Sequence, residues 1–148
     1  MQTPGVFFRV VIGMDIKIKW NGLREFKKYM KDGSKIVDKI ILEELNNVGL
    51  IIEGYGKRLS PRDRGDLEAS ITSDKAYKSG DRYICIIGTN MLYAKYVHDG
   101  VGRGPRTLKK PNVKGYRPGP LYLRNATTLA ERDFEIAIAR AVARVLNM

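Results

Sequence analysis

The chain holds a single cysteine and a single histidine in 148 residues, and these two scarcities remove most of the usual chemistry. Cys85 has no partner for an intrachain disulfide. It sits in the apolar run Tyr83-Ile84-Cys85-Ile86-Ile87, where an inert, buried thiol is expected, consistent with a reducing compartment or at least with no disulfide framework. No Cys or His cluster with zinc-ligand spacing is present. His98 is followed by Asp99, but neighbours in sequence rarely face each other as base and orienting carboxylate, and no second histidine is available to complete a site. Asp63 and Asp66 stand among Arg62, Arg64 and Gly65, where turn formation and local ion pairing account for them without a metal. The expectation is therefore no catalysis, no metal and no cofactor. No apolar run approaches the roughly twenty residues of a membrane span. Val6-Phe7-Phe8-Arg9-Val10-Val11-Ile12 is short, interrupted by Arg9 and without a basic segment ahead of it, so neither an anchor nor a signal peptide is expected.

Negative charge is missing from one long stretch. No Asp or Glu lies between Asp99 and Glu131, while Arg103, Arg106, Lys109, Lys110, Lys114, Arg117 and Arg124 fall inside it. The chain as a whole carries a formal +11, from 27 Lys and Arg against 16 Asp and Glu. Pro105, Pro111, Pro118 and Pro120, with glycines between them, argue against a core element. Residues 100–120 thus read as a long basic Gly/Pro-rich loop held out into solvent, and loops of that length are commonly functional. A polyanion is the natural partner, nucleic acid first among them. The alternating glycines of Gly100-Val101-Gly102-Arg103-Gly104 lack the strand before and helix after that a phosphate-cradling fingerprint requires.

The remaining sequence has clear periodicity. Asp15 to Trp20 alternates as a half-buried strand, and Leu23, Phe26 and Met30 suggest a short helix. From Ser34, Val37, Ile41, Leu45, Val48, Ile52, Tyr55 and Leu59 recur at steps of three and four, predicting a helix of about 25 residues with one apolar stripe. Gly49, Gly54 and Gly56 within it hint at close packing against another element or at a frayed end. Leu67 to Ser73 alternates as a strand, Ser79-Gly80-Asp81 reads as a hairpin turn, and Arg82 to Gly88 as the buried returning strand. Asn90 to Val97 is a short helical or irregular piece. Leu121 to Leu146 predicts a second long helix with a stripe through Ala126, Leu129 or Ala130, Phe134, Ala137, Ala141 and Val145. The fold class is α+β, a small mostly antiparallel sheet packed against two long helices. Met14 opens the cleaner pattern, so residues 1–13 are expected to be an N-terminal extension and 14–148 one domain.

Several pieces in order resemble one family. They are Leu59-Ser60-Pro61, then Arg64-Gly65-Asp66-Leu67-Glu68-Ala69-Ser70-Ile71, then Ile87-Gly88-Thr89, Tyr93-Ala94-Lys95-Tyr96-Val97-His98-Asp99-Gly100, and Pro120-Leu121-Tyr122-Leu123-Arg124-Asn125-Ala126. The series is similar to the gene-product-ten-like tail-component family of long-tailed double-stranded DNA phages, the tail-completion or neck proteins. Arg64 stands where that family usually has Thr, His98-Asp99 where it has Glu and an aromatic, and Asn125 where Pro is common.

The positions expected to carry the motif are Gly65, Leu67, Ser70, Ile71, Tyr93, Tyr96, Gly100 and Leu121. The resemblance implies a structural, non-enzymatic virion subunit at the head-tail interface, made in the host cytoplasm. It implies a ring of copies, monomeric in isolation, between head connector, adaptor or stopper proteins and the tail-tube protein, with genomic double-stranded DNA passing through. Arg103, Arg106, Lys109, Lys110, Lys114 and Arg117 would then face that DNA or dock a partner. The alternative from the residues alone is a free-standing, sequence-independent nucleic-acid-binding protein.

Overall fold

The computed structural model describes residues 5–10, 14–18, 34–62, 65–80, 82–91, 94–100 and 105–147. For 5–10, 14–18, 34, 95, 96, 99 and 105 it describes the backbone alone. The organising element is a 26-residue helix, α1 (Ser34–Leu59), roughly 39 Å long at 1.5 Å per residue. Every residue of the predicted stripe, Val37, Ile41, Leu45, Val48, Ile52, Tyr55 and Leu59, is buried. Lys57 and Arg58 in its last turn complement the negative end of the helix dipole.

Beyond α1 come α2 (Asp66–Ser70), β3 (Thr72–Ser73), β4 (Tyr77–Ser79), β5 (Arg82–Gly88), α3 (Ala94–Asp99) and α4 (Pro105–Leu108). The chain closes with α5 (Tyr122–Leu129) and α6 (Glu131–Leu146), while β1 (Gly5–Val10) and β2 (Met14–Ile18) precede α1. The five strands form one sheet with β5 at its centre. β3 and β4 both pair antiparallel with one edge of β5, β1 pairs parallel with the other edge, and β2 lies antiparallel outside β1. Three of these four pairings are antiparallel, as expected. Ser79 pairs with Arg82 and Gly80 has φ 60, in line with the predicted hairpin.

One flank of α1 packs on β3, β4 and β5, and another on α5 and α6. A Cβ on Gly49 would sit 2.4 Å from Ser73 Oγ and 2.6 Å from Cys85 Sγ, so the helix backbone rests directly on the sheet. Gly56 does the same against Leu123, at 2.9 Å, whereas Gly54 has nothing within 4 Å. Of the two readings these glycines allowed, close packing holds for Gly49 and Gly56. Cys85 is fully buried, and burial pushes its thiol pKa up against a weaker opposing hydrogen bond from Ser73. Helices α1 and α6 run antiparallel, since Tyr55 meets Asp133, Glu44 meets Arg140, and Glu43 meets Arg144.

Four expectations are corrected. Leu67 to Ser73 is not one strand: Asp66–Ser70 is helical, Ala69 is exposed where alternation would bury it, and only Thr72–Ser73 pair with β5. The spacing of four between Leu67 and Ile71, both buried, fits a helical turn, and Gly65 at φ 90 starts it. The last long helix is broken at Ala130 into α5 and α6, with Ala130 rather than Leu129 fully buried in the stripe. Gly5–Val10, assigned by sequence to an extension, lies between β2 and β5. Finally, the stretch from residue 105 onward is packed on the body rather than held out from it: Thr107, Lys110, Val113, Pro118 and Gly119 are all buried. The predicted helix around Leu23 to Met30 lies outside the described residues.

Candidate functional site

A helix ends with carbonyls that its own backbone cannot satisfy, and these groups need partners. At the C-terminus of α1 the partners come from about fifty residues further along the chain. The Lys110 ammonium donates to the carbonyls of Lys57 at 2.9 Å and Ser60 at 2.6 Å, and reaches Glu68 Oε2 at 3.4 Å. The Gly119 N–H donates to the Leu59 carbonyl at 2.8 Å. Thr107 Oγ1 accepts from the Arg62 N–H at 2.8 Å and donates back to the Arg62 carbonyl at 3.3 Å. Residues 107–119 therefore form a strap that caps α1.

The strap is shaped by local rules. Pro105 opens the one-turn α4, which sets Thr107 and Lys110 inward and leaves Arg106, Leu108 and Lys109 exposed. Lys114 at φ 48 and Gly115 at φ 90 make a two-residue turn between Val113 and Tyr116, which exchange hydrogen bonds of 2.9 Å in both directions. Two consecutive positive φ values are the signature of a type I′ hairpin turn.

Burial lowers the pKa of Lys110, partly offset by the neighbouring Glu68 carboxylate. Burial likewise pushes Glu68 up. The Arg62 hydrogen bonds, of 3.0 and 2.7 Å, and the charges of Lys110 and Arg62 outweigh that and hold the carboxyl below its usual range. Lys110 is thus a structural cation. It was expected to face DNA or a partner, and the structure removes it from that set because its side chain is only 4% exposed.

The other expected residues divide differently. Arg106 and Lys109 lie on the outer side of the strap, and Arg117 is exposed. The Lys114 ammonium donates to Tyr55 Oη at 2.7 Å and lies 5.1 Å from the ring centroid, while Arg58 lies 4.9 Å from the same centroid. Arg103 and Tyr93 lie outside the described residues, as does the side chain of Tyr96. Gly65 takes a left-handed backbone with open space around it, so its conformation, not crowding, calls for glycine. Ser70 donates to the Leu67 carbonyl at 2.7 Å and shares a 2.5 Å hydrogen bond with Thr89. The Gly100 N–H meets the Val97 carbonyl at 3.3 Å. Leu121, at φ 61, donates its N–H to the His98 carbonyl at 2.8 Å and so sets the start of α5.

His98 is fully buried, edge-on to Tyr122 with ring centroids 5.0 Å apart, and its Nε2 accepts from the Arg124 N–H at 3.4 Å. Its role is to join α3 to α5. Among the described residues no group of three His, Cys, Asp or Glu is placed to hold a metal. No helix among them is long and apolar enough to cross a membrane.

What sequence reading missed is that Lys57, Arg58 and Arg62, at the end of α1, share one surface with the acid-free stretch. The strap's hydrogen bonds bring Arg106, Lys109, Lys114 and Arg117 to that same end. Their clustering in sequence, three cations within six residues at a helix terminus, was the available signal.

Residues 24–100, just over half of the chain, match the profile of the family described as "Bacteriophage HK97-gp10, putative tail-component". The chain belongs to this family of phage tail components, and is accordingly a structural protein of the virion. Among curated proteins and solved structures, nothing matches it.

Proposed function

We propose that the chain is a subunit of the ring that joins the tail tube to the head connector and lets DNA through, with its basic end turned toward the passing duplex. The observation that carries this reading is the pair of exposed cations Arg58 and Lys114 on Tyr55, with the exposed Arg117 two residues before the Gly119 that caps Leu59, in a stretch holding no carboxylate between Asp99 and Glu131. Such a surface meets phosphate without reading bases, so contact is sequence-independent and weakened by salt. A few cations per subunit suit a channel. Gathered in a ring they hold the duplex centred, while each subunit alone grips too weakly to stall it. The tail-component family supports the structural half of this reading.

The test is Arg58→Glu with Arg117→Glu in assembled phage particles. Heads and tails should still join, and infectivity should fall at least about tenfold as DNA transit is impaired. Full infectivity in joined particles refutes the DNA-facing role. The rival, a free-standing DNA-binding protein, predicts that the isolated chain holds duplex DNA in physiological salt. The ring reading predicts weak binding, with log K falling against log salt no more steeply than a slope of about −3 for three phosphate contacts.

A further inference from the structure

Cations outnumber carboxylates in this chain by 27 to 16, so most carboxylates should have found a partner. Among the described residues they have: Asp38 pairs with Lys78, Glu43 and Glu44 with Arg144, Glu53 with Lys57, and Glu68 with Arg62. Asp74, Glu131 and Glu135 break the pattern, and only the two glutamates stand together on one helix. Both are exposed, neither has a hydrogen bond or ion pair among the described residues, and they stand four apart on α6, where like charges repel. Glu131 also serves the helix N-terminus, but Glu135 lies a turn further on and has no such local role. The two border an open groove that Tyr116, Thr128, Leu129 and Arg132 complete. Leu129 and Tyr116 give it apolar surface among polar neighbours, and Glu131 and Glu135 set two negative charges beside the one positive charge of Arg132.

The strap presents the converse. Leu108 is 68% exposed, the largest exposure of any large apolar side chain among the described residues, and Lys109 follows it directly. Thr107 and Lys110 are held inward by the α1 terminus, so this knob is fixed in place rather than free to fold back. Leu108 is not part of the groove.

We infer that Leu108 and Lys109 of one copy dock into the Leu129–Glu131–Glu135 groove of a second copy of this chain. The leucine covers Leu129 and Tyr116, and the ammonium relieves the Glu131–Glu135 repulsion. Two different patches meeting in this way make a head-to-tail contact, which closes into a ring when the rotation per subunit allows. The inference rests on the ring reading above and names the contact between its subunits.

The buried Cys85 leaves the surface free of thiols among the described residues, so cysteine trapping is clean. Phage particles carrying Leu108→Cys and Leu129→Cys in the same chain should, after mild oxidation, give a ladder of multiples on an unreduced gel, absent with either change alone. Particles that contain the chain yet yield only its single band overturn this contact and leave the head-tail role standing. Particles of the unaltered phage that lack the chain defeat both. A charge exchange covers the case in which Leu129→Cys does not fold: Lys109→Glu and Glu135→Lys should each lower infectious yield on the order of tenfold, and together restore most of it. Failure of the pair to restore overturns the contact.

Discussion

Replacing Lys110 by Met keeps a long unbranched stem and removes only the ammonium, so it isolates the cap on α1. Three acceptors lose a donor, at 2.9, 2.6 and 3.4 Å. They do not lose equally. The Lys57 carbonyl keeps the Ser60 hydroxyl at 2.9 Å, and Glu68 keeps Arg62. The Ser60 carbonyl is left with no partner among the described residues, and an orphaned buried carbonyl costs about 1–3 kcal/mol. Losing a charged donor from the other two adds to this. Against it stands relief from burying an ammonium, the same burial that lowers the Lys110 pKa. The net expectation is a loss of about 2 kcal/mol. For a domain of this size that lowers the melting temperature by roughly 4–8 °C. Urea unfolding and thermal melting at neutral pH measure it. Loss of the cap should also speed tryptic cleavage after Arg106 and Lys109, since the strap would open locally. A variant that melts within a degree of the parent, with unchanged cleavage, refutes the capping role and with it the account of why the basic stretch is packed.

Gly49→Ala and Gly54→Ala should act in opposite directions. The first forces a methyl to 2.4 Å from Ser73 Oγ and should cost about 1–3 kcal/mol, while the second enters open space and should gain up to about 1 kcal/mol; equal effects in urea unfolding would contradict the packing of α1 on the sheet. Glu68→Gln tests the linked carboxylate. Its folded pKa lies below the 4.5 of the unfolded group, so its contribution is present above that value and is lost as pH falls through the folded pKa. The variant should be less stable at neutral pH and lose less on acidification below 4.5; parallel pH profiles of the urea midpoint for the two proteins would refute the assignment.

The helix α1 was legible because seven apolar positions at helical spacing leave one reading, and two of its three glycines meant what close packing predicts. Where two periods agree, pattern fails. Leu67 and Ile71, four apart, are compatible with alternate strand positions and with one helical turn, and only the exposure of Ala69 decides. The break at Ala130 leaves the stripe almost in phase, so periodicity runs through it unmarked. The strap was misread for a different reason. Its prolines and charges do oppose a regular core element, but what holds it is a set of donors aimed at a helix terminus fifty residues upstream. Nothing in the local sequence announces that Lys110 points inward and Lys109 outward. The cations at the end of α1 are visible in sequence, but their union with Lys114 in one surface is not, since the joining contacts are long-range.

The family profile ends at Gly100, yet among the described residues much of the cover of α1 comes from beyond it. The apolar stripe of α1 around Ile41, Leu45 and Val48 is covered by Phe134, Ala137 and Ala141, Gly56 is covered by Leu123, and the α1 carbonyls are capped by Lys110 and Gly119. Five large side chains beyond residue 100, Val113, Tyr122, Leu123, Phe134 and Val145, are buried. At about 1.5–3 kcal/mol each they supply on the order of 10 kcal/mol, as much as the whole net stability of a typical domain. A chain ending at Gly100 should therefore show no cooperative melt and little chemical-shift dispersion. A sharp transition in that fragment would mean that α1 finds its cover within the matched half, and that α5, α6 and the strap are additions to a domain already complete.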